Sequence, residues 1–142
     1  MKNILVAYDG SETSKRAIDT AADLIASDAR IHLGIVNLAS LPMLSDDQAS
    51  SFAAILDLMK SDAEEVLADA LNQFEGRHQQ NGVDTLLVLG TDVASEIAKL
   101  IEKNGYDMVV IGSRGLSGMK QYLGSVSHKL LGATKVPVLV VK

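Results

Sequence analysis

A single α/β domain with a parallel, doubly wound sheet is the fold class this sequence predicts, and three observations predict it. Short apolar runs alternate with helical patterns from end to end of the 142 residues, the arrangement of βαβ units. Two of the runs, VVIG at 109–112 and VLVV at 138–141, contain no polar residue, as expected of strands buried on both faces. The length suits one domain with one good core. The expected strand order is 3-2-1-4-5, with helices on both faces. No internal repeat, low-complexity segment or second domain interrupts residues 1–142.

The elements follow in order. Asn3–Ala7 (NILVA) is a short β-rich run, and Asp9-Gly10-Ser11 is a turn signal. Ile18, Ala21, Ala22 and Ile25 then recur at the spacing of one buried helix face. Ser11 is placed to cap that helix, with Glu12 in its first turn. A second strand is expected at Ile31–Leu38 and a loop at Ala39–Leu44, which contains Pro42. From Ser45 to about Gln79 the pattern is a long helix. Its stripe is Phe52, Ile55, Leu56, Met59, Ala63, Val66, Leu67, Ala70 and Phe74, and charged residues fill the other faces. Thr85–Leu89 is the third strand. Ala94, Ile97, Ala98 and Ile101 mark a helix that stops at Asn104-Gly105. Met108–Ile111 is the fourth strand, Ser125–Ala133 a short helix and Pro137–Val141 the last strand.

Composition narrows the function classes. Hydrophobic residues make up 47% and charged residues 22%, an ordinary globular balance. Thirteen basic and eighteen acidic residues give a net charge of −5, with no run of five or six like charges. Nucleic acid and anionic membrane are therefore poor partners. The absence of cysteine removes disulfides, thiolate metal sites and cysteine nucleophiles. The opening MKNILVAYDG has too short an apolar run for a signal peptide or a membrane span, so a soluble cytoplasmic protein is expected. No metal site is predicted: His32 lies at a strand start, and His78 lies in the polar tail of the long helix. His128, on the first turns of the last helix, is placed to approach a phosphate. Ser125, Ser127 and His128 are near neighbours at a helix start and do not form a nucleophile elbow.

In open parallel sheets ligands bind beyond the carboxyl ends of the strands, where strand order reverses. That rule selects Ala7–Ser11, Val36–Leu38 and the stretch from Gly112 onward. Five of the eleven glycines fall between Gly112 and Gly132, where they either cradle a ligand with main-chain N–H groups or shape a long surface loop. Gly124-Ser125 opens a helix, whose unpaired N–H groups and positive dipole end favour an anion. Ser125 and Ser127 add hydroxyls, and Arg114 and Lys120 add positive charge. The stretch is neither a P-loop nor a dinucleotide G-x-G-x-x-G fingerprint.

At these residues the sequence resembles the universal stress protein family. The family's ATP-binding signature is G-x2-G-x9-G-[ST]; Gly112 and Gly115 fit its first two glycines, and Gly124-Ser125 its closing pair. Only eight residues separate Gly115 from Gly124, one fewer than the signature. The resemblance covers the whole chain, from NILVAYDGSETS through DMVVIGSRGLSG to GSVSHKLLGATKVPVLVVK. It implies a stress-response regulatory protein that binds ATP or AMP, with or without Mg2+. It further implies that Asp9 faces the ribose or adenine, that Ala7 contributes main chain, and that the Val36 main chain reads the adenine edge. Ile111 and Gly112 would then line the floor, Gly115 would approach the phosphates, and Gly124, Ser125, Val126 and Ser127 would hold them. Taken alone, Val36 is a core residue and Asp9 serves either a turn or a site. Family members pair the last strand with its copy, which implies a homodimer through residues 136–141, with Val138 and Val140 near the axis. Fast phosphoryl transfer needs a metal ligand and a residue that positions water. Asp9 is the only acidic candidate in the three loops, so the expectation is a binding protein and not an enzyme. The alternatives are slow ATP hydrolysis and a nucleotide-free dimeric interaction module.

Overall fold

The computed structural model describes residues 1–40, 51–77, 80–114 and 124–142, with main chain alone at 38–40. Its elements run β1 (Asn3–Tyr8), α1 (Glu12–Ile25), β2 (His32–Ser40), α2 (Phe52–Glu75), β3 (Val83–Gly90), α3 (Val93–Asn104), β4 (Met108–Gly112), α4 (Ser125–Ala133) and β5 (Val138–Val141). The five strands form one sheet in the order β3-β2-β1-β4-β5, and every pairing is parallel. The expected fold class and strand order are what the chain adopts.

Two cores follow from the alternation of side chains along each strand. On one face Ile4, Val6 and Tyr8 of β1 and Leu33 and Ile35 of β2 meet Ala17, Ile18, Ala21 and Ile25 of α1 and Leu67, Ala70 and Phe74 of α2. On the other, Leu5, Ala7, Val36, Val109 and Ile111 pack under α3 and Leu130 of α4. The central strand β1 is wholly shielded from Ile4 to Val6, which explains why its sequence is a continuous apolar run.

Helix ends are set locally. Ser11 caps α1 by accepting from the Ser14 N–H, and Asp92 caps α3 by accepting from the Ser95 N–H. Gly105 ends α3 in the left-handed region at φ 69°, as the Asn-Gly pair predicts. Away from the helices, Asp107 accepts from the main-chain N–H groups of Lys2 and Asn3 at 2.7 and 3.0 Å. Asn81 donates its amide to the carbonyls of Ile25, Asp28 and Ile31, tying the α1–β2 turn to the start of β3.

Two expectations need correction. In α2 only Ala63, Leu67, Ala70 and Phe74 of the long stripe are buried; Phe52 is 40% exposed. A helix of 24 residues is about 36 Å long, whereas a six-residue strand such as β1 spans about 20 Å, so the sheet cannot cover all of it. Residues 45–50, also expected in this helix, lie outside the described residues. The run VLVV is only half-buried along β5, because β5 is the edge of the sheet and its far side has no neighbouring strand.

Candidate functional site

The order of strands places the reversal between β1 and β4. From β1 the chain passes into α1 on one face, and from β4 toward α4 on the other. The start of each helix therefore lies beyond the carboxyl end of its preceding strand, one on each side of the gap. β2 runs further than β1. Its pairing with β1 ends at Asn37 opposite Tyr8, and residues 38–40 pair with β3 alone.

The β1–α1 turn is built from short polar side chains. Gly10 adopts φ +84°, and the Asp9 carboxylate accepts from the Ser11 N–H at 2.9 Å. One oxygen of Asp9 is committed to the turn, and the other has no partner among the described residues. Ser14 donates to the Ser11 carbonyl at 2.9 Å and accepts from the Asp9 N–H. Beneath the turn, burial pushes the Tyr8 hydroxyl above its ordinary range, reinforced by the carboxylates of Asp69, Asp9 and Glu12.

Across the gap, the carbonyls of Gly112, the last residue of β4, and of the two residues after it are each turned toward protein donors. The Gly112 carbonyl accepts the Ser127 hydroxyl at 2.8 Å in a buried bond. The Ser113 carbonyl accepts the Gly124 N–H. The Arg114 carbonyl accepts the hydroxyls of both Ser11 and Thr13. With these acceptors occupied, the Arg114 N–H has no partner among the described residues. α4 begins at Ser125 with Gly124 as its cap residue and no side-chain cap, so its first N–H groups lack an intrahelical partner. His128 makes the first intrahelical bond, to the Gly124 carbonyl. What this corner offers a ligand is N–H groups and a positive helix end, which suits an anion.

The residues predicted for the site divide into those the structure gathers here and those it does not. Asp9, Gly112, Arg114, Gly124, Ser125 and Ser127 meet around the gap. Ala7, Val36 and Ile111 lie on adjacent strands in register, with Ala7 opposite both others, and their side chains belong to the core under α3. Their side chains are closed to a ligand, and their main chain is paired with a neighbouring strand on each side. Val126 is half-buried and packs on that same core. The Ser127 hydroxyl proton is committed to Gly112, so Ser127 can serve an anion only through its main-chain N–H. Gly112 is tightly placed: a Cβ there would lie 2.8 Å from the Thr13 carbonyl carbon. Gly115, Lys120 and the whole of 115–123 lie outside the described residues, as does His78. His32 pairs with Asp84 at 2.8 Å, at the opposite end of the sheet. No group of three or more metal-ligating side chains occurs among the described residues.

Two residues escaped the sequence reading. Thr13 reaches across to Arg114, and its only signal was its position two residues after a cap serine. Asn37 is buried and donates to the Tyr8 carbonyl at 3.0 Å, closing the last acceptor of β1. A polar residue inside an apolar run was the available sign.

The fold has counterparts among known proteins. "Universal stress protein YxiE" of Bacillus subtilis is 30% identical over 146 residues, covering 98% of this chain and 97% of that one. Universal stress protein UspA from Lactobacillus plantarum superposes with a TM-score of 0.86 at 17% identity, covering 99% of this chain and 97% of that one. The universal stress protein from Archaeoglobus fulgidus in complex with dAMP gives 0.70 at 21% identity, covering 100% of this chain and 98% of that one. An Arabidopsis thaliana family protein with AMP bound gives 0.70 at 17%, covering 100% of this chain and 92% of that one. At these identities the structures speak for the fold. The family model described as "Universal stress protein family" matches residues 1–142, and the chain belongs to the universal stress protein family.

Proposed function

We propose that this protein binds ATP or AMP between the carboxyl ends of β1 and β4 and acts as a stress-response regulator through the bound nucleotide. The observation that carries the reading is the corner at Gly112–Arg114. Three successive carbonyls are bonded inside the protein, and the uncapped start of α4 stands beside them. A surface that keeps its acceptors to itself and offers N–H groups selects an anion, and a phosphate chain is the anion this geometry suits. The base would lie toward the β1–β2 side, with the Asp9 carboxylate at the ribose and the main chain near Val36 at the adenine edge. AMP and dAMP in the Arabidopsis and Archaeoglobus proteins support an adenine nucleotide.

Binding without turnover is the reading we favour, in the cytoplasm and as a homodimer. Asp9 is half engaged in its own turn, which leaves little for a metal-assisted attack on phosphate; Mg2+ would arrive with the nucleotide. The open edge of β5 supports the homodimer. Mass spectrometry of the nucleotide released on denaturing the purified protein tests the function directly. Adenine nucleotide in near-stoichiometric amount is expected. No nucleotide, together with no thermal shift at millimolar ATP, would overturn the reading.

A further inference from the structure

We propose that the hydroxyls of Ser11 and Thr13 are positioning groups for the phosphate end of the site, holding the main chain of Arg114 in its anion-binding arrangement. The inference rests on the nucleotide reading above and assigns a role to two residues of the opposite helix.

The Arg114 carbonyl is where β4's last turn leaves the sheet, and it takes two hydroxyl protons from α1. Both donors are themselves held. Ser11 is the cap of α1, its oxygen accepting from the Ser14 N–H at 3.3 Å while its proton goes to Arg114. Thr13 is 3% exposed, and its threonine Cβ leaves few rotamers open. The two hydroxyls also lie 3.4 Å from each other, so the pair is one unit. Gly112 lets this unit approach, since any side chain there would meet Thr13 and Ser14.

The consequence follows from peptide geometry. The Arg114 carbonyl turns only together with its whole planar peptide, so two hydroxyl protons on that oxygen oppose a flip that would turn it toward an incoming phosphate. Without the hydroxyls, that oxygen would be an unpaired acceptor beside the anion, and the site would lose affinity for charge. It would keep affinity for the base and sugar, which are read at the β1–β2 side. Ser11 and Thr13 thus act on phosphate without touching it.

The test compares adenosine, AMP and ATP by calorimetry on wild type, Thr13→Val and Thr13→Ser, with circular dichroism and melting as fold controls. Thr13→Val should weaken ATP at least about tenfold, or about 1.4 kcal/mol, and change adenosine by less than about twofold. Thr13→Ser should return ATP to within about threefold of wild type. If Thr13→Val proves unfolded, Thr13→Ala gives the same comparison with less bulk against Gly112. Equal losses for adenosine and ATP, or no loss for either, would overturn the positioning role while leaving the nucleotide site intact. A wild type that binds ATP no better than adenosine would overturn the phosphate site itself, and this proposal with it.

Discussion

Gly112 and Thr13 are packed so closely that the space for a Cβ on Gly112 is already filled by the Thr13 main chain, at 2.8 Å, and by the Ser14 nitrogen, at 2.9 Å. The glycine exists for that contact, because its φ is not among the positive values. Gly112→Ala should therefore destabilise by overpacking, on the order of 1–3 kcal/mol. Chemical denaturation at constant slope measures it. It should also loosen the Thr13 hydroxyl from Arg114, so the same variant should lose ATP affinity even where it remains folded.

The eight-residue spacing between Gly115 and Gly124 has a structural answer. The Gly124 N–H bonds the Ser113 carbonyl, and the Arg114 carbonyl is held by α1. Both ends of the segment are thus fixed before its length matters. Inserting one leucine after Tyr122 should change ATP affinity by less than about tenfold, since loop length enters closure entropy only logarithmically. Restoration of binding by the insertion, in a protein that otherwise binds none, would reverse this expectation.

Homodimerisation should depend on the main chain of alternate β5 residues. Val109 N–H bonds the Pro137 carbonyl, and Ser113 N–H bonds the Val141 carbonyl, so Pro137, Leu139 and Val141 face β4. The N–H and C=O of Val138 and Val140 point off the edge. Val140→Pro removes one outward donor and no internal one. Sedimentation should show a dimer for wild type and a monomer for the variant, each with native circular dichroism; a dimeric variant would exclude this edge as the interface.

Acid should weaken the junction of β1 and β4 through Asp107. The N–H groups of Lys2 and then Asn3 hold its carboxyl below the ordinary value of 3.8. A lowered folded-state value means that the contribution is complete above the unfolded value and is lost as pH falls through the folded one. Asp107→Asn should therefore lose stability at neutral pH and show a smaller further loss between about pH 5 and pH 2. Melting temperature against pH for both proteins checks the sign. The group is exposed, so the effect should be modest.

Asn81 offers a sharper stability test. One amide serves three carbonyls from a position 7% exposed. The Ile25 and Asp28 carbonyls also accept the N–H groups of Asp28 and Ile31, so Asn81→Ala should cost about 1 kcal/mol, the net worth of the lost side-chain bonds, read by denaturant midpoint.

How far the sequence alone reaches is visible in particular residues. Ile18, Ala21, Ala22 and Ile25 announced the buried face of α1, and all four are fully buried, because helical periodicity is a local property. The same periodicity misjudged Phe52 in α2, since how much of a helix the sheet can cover is set by tertiary geometry. Gly112 was legible as a special position, but its reason was not: the sequence suggests a ligand's approach, and the structure shows Thr13's. Ser127 was read as a donor for phosphate, while its proton goes to the Gly112 carbonyl. Contacts spanning 15 residues, as here, or 101, as between Thr13 and Arg114, leave no trace in spacing.

The central place of β1 has a consequence for synthesis. β1 precedes the other strands, and β2 can pair with it within some forty residues, but its other neighbour, β4, begins only at Met108. Until then β1, apolar from Ile4 to Ala7, is an open edge of the nascent sheet, a surface prone to wrong partners while translation continues. The corner at Gly112–Arg114 needs β4, α4 and α1 together, so it cannot form before α4 leaves the ribosome. On the proposed reading, nucleotide would bind only once α4 is in place, and its binding energy would then favour that state over every partly folded predecessor.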